Sequence, residues 1–195
     1  MLLASTCKKN PLSSPSTPTV KLTTTINNNA ETIHLGDTLK FILTIPDTLI
    51  AISKTDGTTS KVFINSLQSC NYNFTFYNVD TITKIGARIR DATHIFVTPG
   101  SIDSYLGSVF TSNMSKPFVS ILNIIPPAKG LYYIEFGRQE TLMSANLTFN
   151  AGLRVNVNTL DKHWTMYATA LGYTSITDLQ QNDIAGYGFY CFKVN

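Results

Sequence analysis

Charge is scarce in this chain. Asp, Glu, Lys and Arg make up 14% of its 195 residues, where a globular domain carries about a quarter. The net charge is only +3, and basic residues gather no further than pairs such as Lys8-Lys9. A nucleic-acid surface needs a dense basic patch to displace counterions, so that class of partner is not expected. Long apolar runs are missing too, and none approaches the roughly 20 residues that cross a bilayer as a helix. Cysteine is limited to Cys7, Cys70 and Cys191, whose spacings fit no metal knuckle. Histidine is limited to His34, His94 and His163. No two of them have the spacing that puts a metal-binding pair on one helical face. Nucleophile-elbow, phosphate-loop and dinucleotide fingerprints are absent as well. These gaps remove the commonest routes to enzyme chemistry, and no catalytic residue, metal or cofactor is expected.

What the chain does have is Thr, Asn and Ser in abundance and a recurring period of two. The stretch from Thr32 to Leu49 is the clearest case. Leu39, Phe41, Leu43 and Ile45 alternate with Lys40, Ile42 and Thr44, as a half-buried strand requires. Gly36-Asp37 turns the chain into it, and Pro46-Asp47 ends it, because proline lacks the N–H that a ladder needs. Val20, Leu22, Thr24 and Ile26 form an opening strand. Asp56-Gly57 between Leu49–Ser53 and Val62–Leu67 is a hairpin signal. Tyr72, Phe74 and Phe76 alternate with Asn73, Thr75 and Tyr77 and should face the core.

Further on, Ile82, Ile85 and Ile89 fit a short helix within Asp80–Thr93. His94–Val97 reads as a short strand stopped by Pro99-Gly100. Asp103–Lys116 reads as loop. Phe118–Ile125 is a mostly apolar run, fit for a strand buried on both faces. It should pair through Pro126–Gly130 with Leu131–Phe136 in one long hairpin. Leu142–Phe149 and Leu153–Val157 make another pair about Asn150-Ala151-Gly152. Leu160, Trp164, Tyr167, Ala168 and Leu171 then recur at helical spacing, closed by Gly172. Gly186–Val194 is an aromatic closing strand that pins the C-terminus. About ten short strands at this spacing give an all-β chain. The expected fold is an antiparallel β-sandwich, immunoglobulin-like or jelly-roll-like, with one short helix in the C-terminal half.

The N-terminus reads MLLASTCKK, then NPLSSPSTPT. A short apolar stretch, small residues and a cysteine before lysines resemble the end of a bacterial lipoprotein signal peptide. The Ser/Thr/Pro run is an extended spacer. Taken with LGDTLKF and IPDTL downstream, this resembles the surface or periplasmic lipoproteins of Bacteroidetes-type bacteria. The resemblance implies acylation of Cys7, which would tether a chain that has no membrane span. It divides the chain into a signal-peptide remnant (1–6), an anchor and linker (7–19) and a β-sandwich (20–195). It also implies the outer membrane of a bacterial envelope, on the periplasmic or surface face, as the chain's location.

Side-chain candidates for contact are few. In an oxidising compartment Cys70 and Cys191 can pair, or they can remain buried thiols. Tyr132, Tyr133, Trp164 and Tyr187 are candidates to stack on a sugar or anchor a protein partner. Glu135 and Glu140 lie near aromatics, as a glycosidase cleft would require, but read better as a solvated strand end beside Arg138. Asp178, Asn182 and Asp183 lack the spacing of a calcium loop. The expectation is a non-enzymatic envelope lipoprotein acting as a binding or structural module, with a glycan or an envelope protein as partner. A viral capsid or fibre-head jelly roll is the first alternative, and a secreted glycan-active hydrolase the second.

Overall fold

The structure, a computed structural model, describes residues 17–28, 30–53, 55–83, 85–90, 94–103, 107–136, 140–144, 147–156, 165–166, 168 and 189–195. Among these, fifteen strands follow in chain order. They are β1 (Thr19–Ile26), β2 (Thr32–Ile33), β3 (Leu39–Ile45), β4 (Thr48–Ile52), β5 (Thr59–Phe63), β6 (Leu67–Asp80), β7 (Ile85–Arg88) and β8 (Ile95–Thr98). After them come β9 (Ser101–Asp103), β10 (Ser108–Met114), β11 (Phe118–Ile124), β12 (Gly130–Phe136), β13 (Glu140–Ser144), β14 (Leu147–Asn156) and β15 (Phe189–Val194). The expected all-β sandwich is the observed class.

One layer runs β9-β10-β6-β13-β14-β1-β3-β11-β8, with the β4–β5 hairpin attached to the start of β1. The other runs β2-β15-β12-β6-β7. The 14-residue β6 belongs to both layers. Its first half pairs with β10 from Leu67 to Asn73. Its second half pairs with β12 from Phe74 to Val79. Alternation along β1, β3 and β6 sends Leu22, Phe41 and Phe76 into the space between the layers, each nearly inaccessible to solvent. There the ring of Phe41 meets Phe136 edge-on at 5.4 Å and Tyr190 at 5.8 Å, so side chains from opposite layers touch directly. Such pairs add about 0.5–1.5 kcal/mol beyond the area they bury.

Several expected elements are corrected. The described residues of Asp80–Thr93 are not helical. The Asp80 carboxylate accepts the N–H groups of Ile82 and Thr83 and turns the chain back, so that β7 pairs with the end of β6. Ile82 and Ile85, which made the helical stripe, are both exposed. Gly86 lies so close to the sheet that an added Cβ would stand 3.3 Å from both Tyr77 and the Tyr133 hydroxyl. The expected loop Asp103–Lys116 contains strand β10. Its inward position is taken by a threonine, Thr111, which donates to the Cys70 carbonyl at 2.8 Å.

β11 and β12 do not pair. β11 lies between β3 and β8, and β12 lies between β6 and β15. The Pro-rich connection therefore crosses between layers. Nor is β11 buried on both faces, since Val119 and Ile121 are half-exposed. Asn150-Ala151-Gly152 is no turn; it runs inside β14, where Thr19, Val20 and Lys21 of β1 pair with it. The second strand of the Asp56-Gly57 hairpin ends at Phe63, before Leu67 opens β6. Pairing is not wholly antiparallel, because β1–β14 and β15–β2 run parallel. Thr165, Met166 and Ala168 are helical; the rest of the expected helix lies outside the described residues. The last strand pins the C-terminus as expected, with Asn195 donating to the Ile33 carbonyl and Leu35 donating to that of Asn195.

Candidate functional site

The two layers differ in their outer sides. On the outer side of β6, β12 and β15 the register places Val79, Leu131 and Cys191 away from the shared core, yet all three are buried. The outer side of β1, β3, β11 and β8 is open instead. Pairing aligns Thr25, Ile42, Ile121 and Thr98 as one row across four strands. All four reach solvent, wholly or in part. Val119 continues this side beside Thr44, and Phe96 stands on it 43% exposed. Lys21 and Lys40 are the only charged residues on the four strands, and no acid is present there. Asn123 is the one buried polar side chain on this side, and its amide donates to the Phe96 and Ile121 carbonyls.

At one end of this surface lies a depression of about 390 Å³. That volume falls within the ordinary range for small-molecule sites. β8 contributes Thr98 and then Pro99; β10 contributes Ser112, Asn113 and Met114; the following loop and β11 contribute Ser115, Pro117, Val119 and Ile121. Val119 and Ile121 are half-buried and form the floor, while Met114 is buried in the core cluster. The exposed prolines, hydroxyls and the Asn113 amide form the rim. The peptide bonds before Pro99 and Pro117 are cis. Asn113 has a φ of 52°, the left-handed region that asparagine tolerates better than most residues. At that point the pairing of β10 with β6 steps from Ser112–Ser69 to Met114–Leu67. No lining residue is titratable.

The residues singled out from the sequence do not gather here. Tyr132 is corrected outright. It is fully buried, stacked on Phe76 at 5.4 Å and on Phe192 at 5.7 Å, and its hydroxyl donates to the Ala128 carbonyl. It faces inward because it shares parity with Ile134 and Phe136, and so it cannot stack on a ligand. Tyr133 is half-buried on the opposite side, its ring 4.6 Å from that of Tyr77. Cys70 and Cys191 are not joined in a disulfide; both are buried thiols. Cys70 faces the core alongside Tyr72, while Cys191 is level with Tyr133 on the outer side of its layer. Burial pushes the Cys191 thiol up to about 12. Burial also raises the Tyr190 hydroxyl, as do the nearby Cys191 and Glu31. Cys7, Trp164, Tyr187 and His163 lie outside the described residues. His34 is exposed and His94 half-buried, and neither lines the depression.

No protein-family model matches the sequence, and no curated protein matches it at a significant level. Among solved structures it is similar to the type II cohesin dyad from the adaptor ScaA scaffoldin of Acetivibrio cellulolyticus, at 10% identity and a TM-score of 0.35, over 71% of this chain and 47% of that one. The second type II cohesin module of the same scaffoldin gives 11% identity and a TM-score of 0.35, over 70% of this chain and 92% of that one. The Reelin-N domain of F-spondin gives 6% identity and a TM-score of 0.30, over 69% and 80%. The chain thus spans about half the length of the cohesin dyad. Likeness of this degree transfers neither partner nor activity.

Chemically, the open surface and its depression are suited to contact. Acid–base work needs a titratable side chain, and nucleophilic attack by a serine or threonine hydroxyl needs an adjacent base to activate it. The lining supplies aliphatic carbon, neutral hydroxyls and one amide. The sequence pattern missed Asn113 and Met114 because they stand in Asp103–Lys116, read as loop, and Pro117 because it falls between that loop and the expected strand. It missed the role of Val119 and Ile121 because β11 is apolar at both parities.

Proposed function

We propose that this chain is a non-enzymatic binding or structural module held at a bacterial cell envelope through a lipid on Cys7. The observation that carries the binding part is the open side of β1, β3, β11 and β8, which ends in a depression without titratable lining. A sheet face presenting half-exposed Ile42, Val119 and Ile121 is a surface that gains by being covered. The tether rests on the Cys7-Lys8-Lys9 sequence and the Ser/Thr/Pro run that follows it. Two or more acyl chains on one cysteine hold a protein stably at a bilayer.

Mass spectrometry of the N-terminus from native membranes tests the tether. Acyl chains on Cys7 are expected, and Cys7→Ser should move the protein from the membrane to the soluble fraction. An unmodified Cys7 would overturn the anchor. Turnover of chromogenic glycosides or esters that co-purifies with the full chain would overturn the non-enzymatic reading.

A further inference from the structure

We propose that the depression between β8, β10 and β11 is a binding site for a neutral sugar ring. The inference rests on the binding-module reading above and names the ligand class. A pyranose has aliphatic C–H faces and a belt of hydroxyl groups. The site has the matching arrangement. Val119 and Ile121 form an aliphatic floor on which a C–H face can lie. Around it stand the hydroxyls of Thr98, Ser112 and Ser115 and the amide of Asn113, all exposed and able both to donate and to accept. A purely aliphatic ligand would cover the floor and make no use of those four groups. A charged ligand would find no counter-charge, since no lining side chain is ionisable.

The local backbone keeps this belt in place. Asn113, at φ 52°, lies between the Ser112–Ser69 and Met114–Leu67 pairs. Met114 is thereby buried in the core while Asn113 stays at the rim. No aromatic ring lines the site, so a single ring gains only aliphatic contact and a few solvent-competed hydrogen bonds. Affinity for a monosaccharide is therefore on the order of millimolar, and useful avidity comes from repeated rings in a polymer.

The test is an amide-resolved NMR titration of the full chain with the methyl glycosides of glucose, galactose, mannose and N-acetylglucosamine, and with methyl glucuronide. At least one neutral glycoside should shift the amides of Asn113–Ser115 and Val119–Ile121 in a saturable way, and the glucuronide should not. Asn113→Gly keeps the backbone conformation, because glycine accepts positive φ; it should weaken binding about tenfold with an unchanged melting curve. Thr23→Lys, on the same side but away from the depression, should leave binding unaltered. No shift with any neutral glycoside, shifts mapping elsewhere, or equal binding of the glucuronide would overturn the proposal. Saturable binding of an aliphatic probe such as isobutanol at the same amides, with no sugar response, would overturn the sugar assignment while leaving the binding-module reading intact.

Discussion

Tyr132 and Cys191 show how much a single position depends on which way its strand parity points. Tyr132 is pinned on three sides by ring contacts and by the bond from its hydroxyl to the Ala128 carbonyl. Tyr132→Phe should cost about 1 kcal/mol and Tyr132→Ala about 3–5 kcal/mol, read from urea denaturation; neither should act first on binding. Cys191 is the site of a pH effect. Below pH 9.0, its ordinary value, the thiol is protonated in both states. Between 9.0 and about 12 the unfolded chain releases this proton and the folded chain keeps it. The unfolded state gains, so stability falls as pH rises through that window. Tyr190, raised in the same direction, adds to the fall. Urea midpoints at neutral pH and inside the window should show the decline, and Cys191→Ala should make it shallower.

At the scale of elements, strands with one apolar parity were legible from sequence and the others were not. β1, β3 and the Tyr72–Phe76 part of β6 could be read because greasy residues occupy one parity and polar residues the other. β10 escaped because Thr111 takes an inward place and Phe110 an outward one. β7 escaped because its isoleucine is exposed. Pairing partners were less legible still, since alternation fixes a face and says nothing of the neighbour; hence the mistaken β11–β12 hairpin. For the same reason the open surface could not be assembled from the sequence, its four strands coming from residues spread between Thr19 and Ile124. The β4–β5 hairpin carries its own prediction. Among the described residues β5 pairs with β4 alone, and its last residue, Phe63, is 75% exposed. Lys61 sits mid-strand, where a charge discourages edge-to-edge pairing. Lys61→Ile should promote concentration-dependent self-association, seen by sedimentation or size-exclusion chromatography; a variant that stays the same size as the parent at high concentration would refute this.

For the whole molecule, the decisive feature is that both layers share β6 and that chain-distant segments close each one. β15 brings Tyr190, Phe192 and Val194 to the centre, all essentially without solvent contact. It also bridges β12 to β2. Deleting 189–195 should strip one ring partner each from Phe41, Phe76 and Tyr132 and abolish cooperative thermal unfolding, not merely lower its midpoint. A truncated chain that still melts in a sharp transition would contradict this architecture.

β1 pairs in parallel with β14 along seven consecutive residues, Thr19 to Thr25, while β3 holds its far end. A pull applied to residue 19 along the strand axis therefore loads this row of backbone bonds together, in shear, and cannot peel them one after another. The tether proposed at Cys7 would deliver any pull to this strand first, and there the paired row would resist it in shear.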